Sequence, residues 1–227
     1  MLAKTSEEVL RVEALEAGYG SVRVIRNAAI AVHAGEVVGL LGRNGAGKTT
    51  FINAIAGLLA CASGSIVLAG REVSELPAHR RVGAGVTIVP SGGRLFKSLT
   101  VEENLAIGVP HPDLQKVTEI FALFPELLRL RSRYAGKLSG GERQMVAIGR
   151  ALMLDPKLLL MDEPSEGLAP IVVLRLAESI KALQARGVGI LVAEQNVKFT
   201  DLVCQRWYGI DKGAITDRQP TAMLPRA

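Results

Sequence analysis

The sequence predicts an α/β fold in which a mainly parallel sheet is flanked by helices, with antiparallel strands at the N-terminal end and an inserted helical subdomain. Three observations predict it. Short apolar runs (Val37–Leu41, Gly85–Val89, Leu158–Met161 and Gly189–Ala193) recur between longer segments of other character, the rhythm of strands buried on both faces and joined by helical crossovers. The composition is 48% hydrophobic and only 4% aromatic, so Val, Ile, Leu and Ala must build the core. Between the first of these strands and a helix starting near Lys48 lies Gly42-Arg43-Asn44-Gly45-Ala46-Gly47-Lys48-Thr49, which fits the G-x-x-x-x-G-K-[ST] pattern of a phosphate-cradling loop.

The 227 residues suit a single domain: a core formed by about 1–90 and 154–216, a helical subdomain at about 97–153, and a loosely held tail at 217–227. Several function classes recede on composition. The N-terminus turns acidic at Glu7 and Glu8 before any apolar run could form a signal peptide. No stretch approaches the ~20 apolar residues that cross a bilayer, so a membrane role must come through a partner. Cys61 and Cys204 stand alone, which fits reduced thiols and implies neither a disulfide framework nor a zinc site. The net charge of +5 is compatible with nucleotide, an acidic membrane or nucleic acid and selects none of them.

In chain order, Leu10–Ala17 sets Val12, Ala14 and Leu15 against Arg11, Glu13 and Glu16, the alternation of a half-buried antiparallel strand. Gly18-Tyr19-Gly20 turns it into a second strand, Ala28–Val32. Tyr19, flanked by glycines, either presents its ring to a flat ligand or is a plain turn residue. The phosphate loop follows. Glycines 42, 45 and 47 let its backbone fold back with the N–H groups inward; Lys48 and the start of the helix add positive charge, and Thr49 offers a hydroxyl to Mg²⁺. Ser63-Gly64 turns into a strand at Ser65–Ala69, and Pro77 opens a short basic helix with His79, Arg80 and Arg81. After the strand ending at Pro90 comes a flexible Ser91-Gly92-Gly93. Thr100 reads as the N-cap of a helix with Glu102 and Glu103 in its first turn.

Asp113–Leu130 has helical spacing throughout (Leu114, Val117, Ile120, Phe121, Phe124). Arg129, Arg131, Arg133 and Lys137 around Tyr134 raise a nucleic-acid reading, but the run is short and lacks a second stacking aromatic, so it reads as a solvated basic connector. Ser139 and Glu142 make a capping box. The glycines between them, Gly140 and Gly141, cost a helix up to ~1 kcal/mol each and make sense where a phosphate approaches the backbone. Leu158–Met161 ends in Asp162 and Glu163, adjacent acids at the carboxyl end of a buried strand, where ligands sit in open α/β sheets. Asp162 suits a Mg²⁺ shell. Glu163, pointing differently, can face an attacking water. Pro170 begins a helix reaching Arg186, Glu194-Gln195-Asn196 follows the last core strand, and a hairpin at 207–216 closes the chain.

The phosphate loop, Leu138-Ser139-Gly140-Gly141-Glu142-Arg143-Gln144 and the Leu158–Glu163 strand, in that order with helices between the first two, resemble the ATP-binding subunit of ATP-binding-cassette transporters. Thr100-Val101-Glu102-Glu103-Asn104-Leu105, the segment 162–170 and Glu194-Gln195-Asn196 narrow the resemblance to the ATPase subunits of branched-chain amino acid importers. It implies a P-loop NTPase core, ATP and Mg²⁺ as ligands, and a peripheral place on the cytoplasmic face of the inner membrane beside membrane-spanning permease subunits. An indirect link to a substrate-binding protein is also implied. Tyr19 would stack on adenine, Gly42 to Thr50 (including Ala46 and Thr50) would hold phosphates, Asp162 would order Mg²⁺ and Glu163 would orient or deprotonate water. Ser139, Gly140, Gly141 and Glu142 would complete the site of a second ATP-binding subunit, a paralogue in preference to a copy. Two positions depart from the family. Ser91 stands where a Gln usually reaches Mg²⁺ or water and is too short for that reach. Gln195 stands where His is usual, as in the importer subgroup, and predicts slower intrinsic hydrolysis than in a His-bearing relative. The competing classes are a urea or short-amide importer ATPase, a cassette ATPase acting on nucleic acid or ribosomes, and a binding module without hydrolysis. The absence of a long coiled-coil insertion counts against the second, and Glu163 counts against the third.

Overall fold

A computed structural model of the chain describes residues 7–109 and 114–220. Its strands form two sheets. In the first, β1 (Glu8–Tyr19) pairs antiparallel with β2 (Val22–His33) and with β4 (Cys61–Leu68), and β5 (Arg71–Glu72) lies outside β4. In the second, β3 (Val37–Leu41), β6 (Val86–Val89), β7 (Leu158–Asp162), β8 (Gly189–Glu194) and β9 (Arg206–Asp211) are parallel in the order β9-β3-β8-β7-β6. β10 (Ala214–Pro220) adds an antiparallel edge to β9. This is an α/β fold with the antiparallel N-terminal sheet that the alternating pattern predicts.

Side-chain alternation divides the core into two. On β7, Leu158 and Leu160 face the first sheet together with Leu191 and Ala193 of β8, Val38 and Leu40 of β3, and Phe51, Ile52 and Ile55 of α1 (Lys48–Ala56). Leu159 and Met161 face the other way, with Ile190, Val192, and residues of α3 (Val101–Ala106), α6 (Gly140–Leu152), α7 (Pro170–Ala185) and α8 (Val197–Val203). α1 is thus held between the sheets, and β3, β7 and β8 are covered on both faces. Burial of this kind stabilises by roughly 25 cal/mol per Å² of apolar surface removed from water.

Several boundaries differ from the sequence reading for physical reasons. β1 and β2 are longer than expected, because bulges with left-handed Ala14 (φ 47°) and Asn27 (φ 45°) carry pairing past points where alternation breaks. The same irregularity takes Ser63-Gly64 into β4, opposite Glu16, so the strand begins at Cys61 and the expected turn is absent. The helical stretch is two helices, α4 (Leu114–Leu123) and α5 (Pro125–Leu130), because Pro125 sits at the first position of the second; Asp113 lies outside the described residues. Arg81 of α2 (Ala78–Gly83) is 1% exposed and is no surface base. Its guanidinium donates to the carbonyls of Ala54 and Ile55, at 2.7 and 2.9 Å, and so satisfies the end of α1. β10 pairs as far as Pro220, into the segment read as a loose tail; 221–227 lie outside the described residues.

Candidate active site

The registers β3–β8 and β7–β8 bring Leu41 opposite Glu194 and Asp162 opposite Ala193, so three parallel strands end in one rank. The phosphate loop leaves β3 at that rank and α1 begins behind it. Gly47 caps α1 at φ 111°, a conformation a side chain would strain. Val24 of β2, Lys48, Thr49, Thr50, Ser91 and Glu163 line an open cleft of about 330 Å³ over the loop, together with Asn44 and Gly45.

Position 162 shares parity with Leu158 and Leu160, which turns its carboxylate toward α1. Thr49 Oγ1 donates to Asp162 Oδ2 at 2.9 Å. Burial pushes the Asp162 carboxyl up, the Thr49 hydroxyl pulls it down, and the neighbouring Glu163 charge adds to the rise. Glu163 would point away from the cleft if β7 continued. It instead takes a left-handed backbone (φ 48°) while its N–H bonds to Ala193 O at 2.8 Å, and its carboxylate pairs with Lys48 Nζ at 2.9 Å. A left-handed glutamate is an uncommon, strained conformation of the kind that collects at functional sites. Lys48, 4% exposed, gives its other ammonium N–H groups to Gly42 O and Arg43 O, at 2.8 and 3.2 Å.

Gln195 follows β8 and lines an adjoining groove with Arg43, Asn44, Gly45 and Ala46. Ser91, at the end of β6, borders the cleft and donates to Glu166 Oε2 at 3.2 Å. Tyr19 is 54% exposed at the tip of the β1–β2 hairpin, whose second strand contributes Val24 to the cleft. Ser139 caps α6 with the reciprocal Glu142 bonds, at 2.6 and 3.3 Å. Among the described residues no hydrogen bond or ion pair joins Ser139, Gly140, Gly141 or Glu142 to the group around Lys48. Gly141 also has a packing reason: a Cβ there would lie 2.4 Å from Val172 Cγ1 of α7, whereas one at Gly140 would meet nothing closer than 3.6 Å. Packing therefore accounts for Gly141 and not for Gly140.

Sequence reasoning passed over Glu194. It is 2% exposed and accepts from the N–H groups of Ser165, Gln195 and Asn196. The signal was present, since an acid ending a buried strand had already singled out Asp162 and Glu163.

Residues 25–166 match the family model of the ABC transporter. Over 210 residues the chain is 41% identical to the high-affinity branched-chain amino acid transport ATP-binding protein BraG of Pseudomonas aeruginosa, covering 91% of this chain and 90% of that one. It is 38% identical over 214 residues to the lipopolysaccharide export system ATP-binding protein LptB of Haemophilus influenzae, covering 91% and 88%. Among solved structures, a nucleotide-free ATP-binding cassette from an ABC transporter superposes with a TM-score of 0.85 at 28% identity, over 94% of this chain and 91% of that one. An ATP-binding cassette in its ADP conformation does so at 0.84 and 29%, over the same shares. The chain belongs to the ABC transporter family, as a nucleotide-binding, ATP-hydrolysing cassette subunit.

Proposed function

We propose that this subunit powers import of branched-chain amino acids, held at the cytoplasmic face of the inner membrane by membrane-spanning permease subunits. The observation that carries the solute assignment is the 41% identity to BraG along about nine-tenths of both chains. The site residues support the ATPase chemistry as follows. Backbone N–H groups from Gly42 to Thr50 hold the phosphates, at the positive end of α1. Tyr19 offers a face for the adenine. Thr49 and Asp162 present a hydroxyl and a carboxylate, hard oxygen donors 2.9 Å apart, which would hold Mg²⁺. When bound, Mg²⁺ neutralises charge on the phosphate oxygens.

Lys48 and Glu163 set the order of events. An ammonium has three N–H donors, and those of Lys48 go to two loop carbonyls and Glu163. A phosphate oxygen gains Lys48 by displacing a partner, and the displaceable one is Glu163, whose side chain is freer than the loop backbone. Arrival of the terminal phosphate thereby releases the carboxylate that accepts a proton from water. Gln195 donates its amide N–H to that phosphate. Ser139, Gly140, Gly141 and Glu142 serve the nucleotide of a second cassette subunit, a paralogue in preference to a copy, and closing the pair excludes water from both sites.

Disrupting the gene in its host and measuring uptake of labelled leucine, isoleucine and valine tests the solute. Lost uptake is expected. The 38% identity to LptB favours one rival: unchanged uptake with lipopolysaccharide retained at the inner membrane would assign the subunit to export.

A further inference from the structure

Glu194 ends β8 at 2% exposure, and a carboxylate held out of water destabilises the fold unless it is fully bonded. Among the described residues, the hydrogen-bond donors to its carboxylate are backbone N–H groups. Oε1 accepts from Ser165 N at 2.9 Å, and Oε2 from Gln195 N at 3.0 Å and Asn196 N at 3.1 Å. Its carbonyl oxygen accepts from Gly42 N at 3.1 Å. One residue is therefore bonded to the start of the phosphate loop, to the loop after Glu163 and to the turn that carries Gln195.

Helix capping does not explain it, because Asn196 already caps α8 by accepting from Phe199 N at 3.2 Å. Size does not explain it either. A glutamine of equal length would set an NH₂ group against one of these N–H donors, whereas a carboxylate accepts on both oxygens. Alternation supplies the direction: Ile190, Val192 and Glu194 share a face, which sends the carboxylate toward Ser165 and leaves Gln195 to the groove beside Asn44.

We propose that Glu194 is a positioning residue for hydrolysis. It fixes the course of the chain at Gln195 and ties the Ser165–Gly167 loop to that turn, so that a displacement of the loop displaces Gln195. This rests on the reading above in which Gln195 faces the terminal phosphate. Both loops border a further groove, with Asn44 and Glu163. A partner subunit pressing on Ser165–Gly167 would in this way set the amide that meets the phosphate.

The test uses Glu194→Gln in the full chain. In amide exchange without nucleotide, the N–H left facing the new NH₂ group, that of Ser165 or those of Gln195 and Asn196, is expected to exchange about tenfold faster, the order of one unpaired buried donor, while the β7–β8 ladder keeps its protection. In the assembled transporter, kcat for ATP is expected to fall about tenfold with KM within about twofold, and in a Gln195→Ala background the same substitution is expected to cost less than about twofold, because coupled sites are not additive. Unchanged exchange at the three amides, a rise in KM at constant kcat, or losses that multiply would each overturn the proposal. If Glu194→Gln does not fold, Glu194→Asp, which keeps the charge and shortens the reach, is read by the same criteria. Gln195→Ala with wild-type turnover would remove the role of Gln195, and with it the proposed coupling, while the exchange result still reports whether Glu194 holds the turn.

Discussion

Lys48 and Glu163 form an ion pair that is well placed and yet transient in the proposed cycle. Each group has its function only when the other lets go: the ammonium for phosphate, the carboxylate for water. Glu163→Gln separates the two roles. Turnover is expected to fall by about 10²–10⁴-fold, the usual contribution of a general base, while binding of a fluorescent ATP analogue is not weakened, since an amide holds the ammonium less strongly than a carboxylate. Size-exclusion chromatography with ATP is expected to show a trapped cassette pair, with a co-expressed cassette subunit if not with itself; no pair under either condition would sink the two-subunit site. Gln195 is the second residue whose chemistry is readable alone. It donates a hydrogen bond but carries no titratable proton, so Gln195→His is expected to raise turnover in the assembled complex, and unchanged turnover would count against a role at the phosphate.

Packing of whole elements accounts for the second of the two glycines at the start of α6. Gly141→Ala would gain up to ~1 kcal/mol in helix propensity but drives a methyl into the stiff Val172 of α7, 2.4 Å from its Cγ1, and overpacking of that kind costs about 1–3 kcal/mol. A lowered denaturation midpoint is expected for Gly141→Ala, with recovery when Val172→Ala is added; a single variant as stable as the parent would show that α6 and α7 shift apart at no cost. Local signals made much of this architecture legible. Apolar runs marked β3, β6, β7 and β8, while β9 reads in the sequence only as an arm of the closing hairpin and not as a parallel neighbour of β3; Thr100 and Ser139 announced their caps, and the glycine pattern placed the phosphate loop between β3 and α1. What stayed hidden depends on register and parity, which exist only once strands have paired. That Asp162 shares a face with Leu160 and so meets Thr49, that Glu194 reaches Ser165 across 29 residues of sequence, and that Arg81 closes the end of α1 are consequences of tertiary placement. A charged residue in a short basic run gives no sign of which neighbour will bury it.

At the scale of the molecule, the two sheets share the core around α1 and are also joined by one polar cluster. Arg206 of β9 donates to Glu36 Oε1 at 2.5 Å and Oε2 at 3.0 Å, to the Tyr208 hydroxyl at 2.7 Å, and to Ala31 O of β2 at 2.7 Å. The cluster therefore clamps the antiparallel sheet to the parallel one. Burial alone would push the Glu36 carboxyl up, but hydrogen bonds from Arg206 and His33 and the Arg206 charge outweigh it and hold the carboxyl below its ordinary value of 4.5. A carboxyl depressed in the folded state contributes stability that is complete above its unfolded pKa and is lost as pH falls through the folded one. Glu36→Gln is thus expected to lower unfolding free energy near neutral pH by about 1 kcal/mol, the low end for a charged hydrogen bond because Glu36 keeps some exposure. The difference from the parent should persist at pH 6 and shrink once the pH drops below 4.5, as both proteins come to carry a neutral side chain there. Urea titrations at a series of pH values measure it. A gap that stays constant across that range would mean that the clamp acts through shape and not through charge.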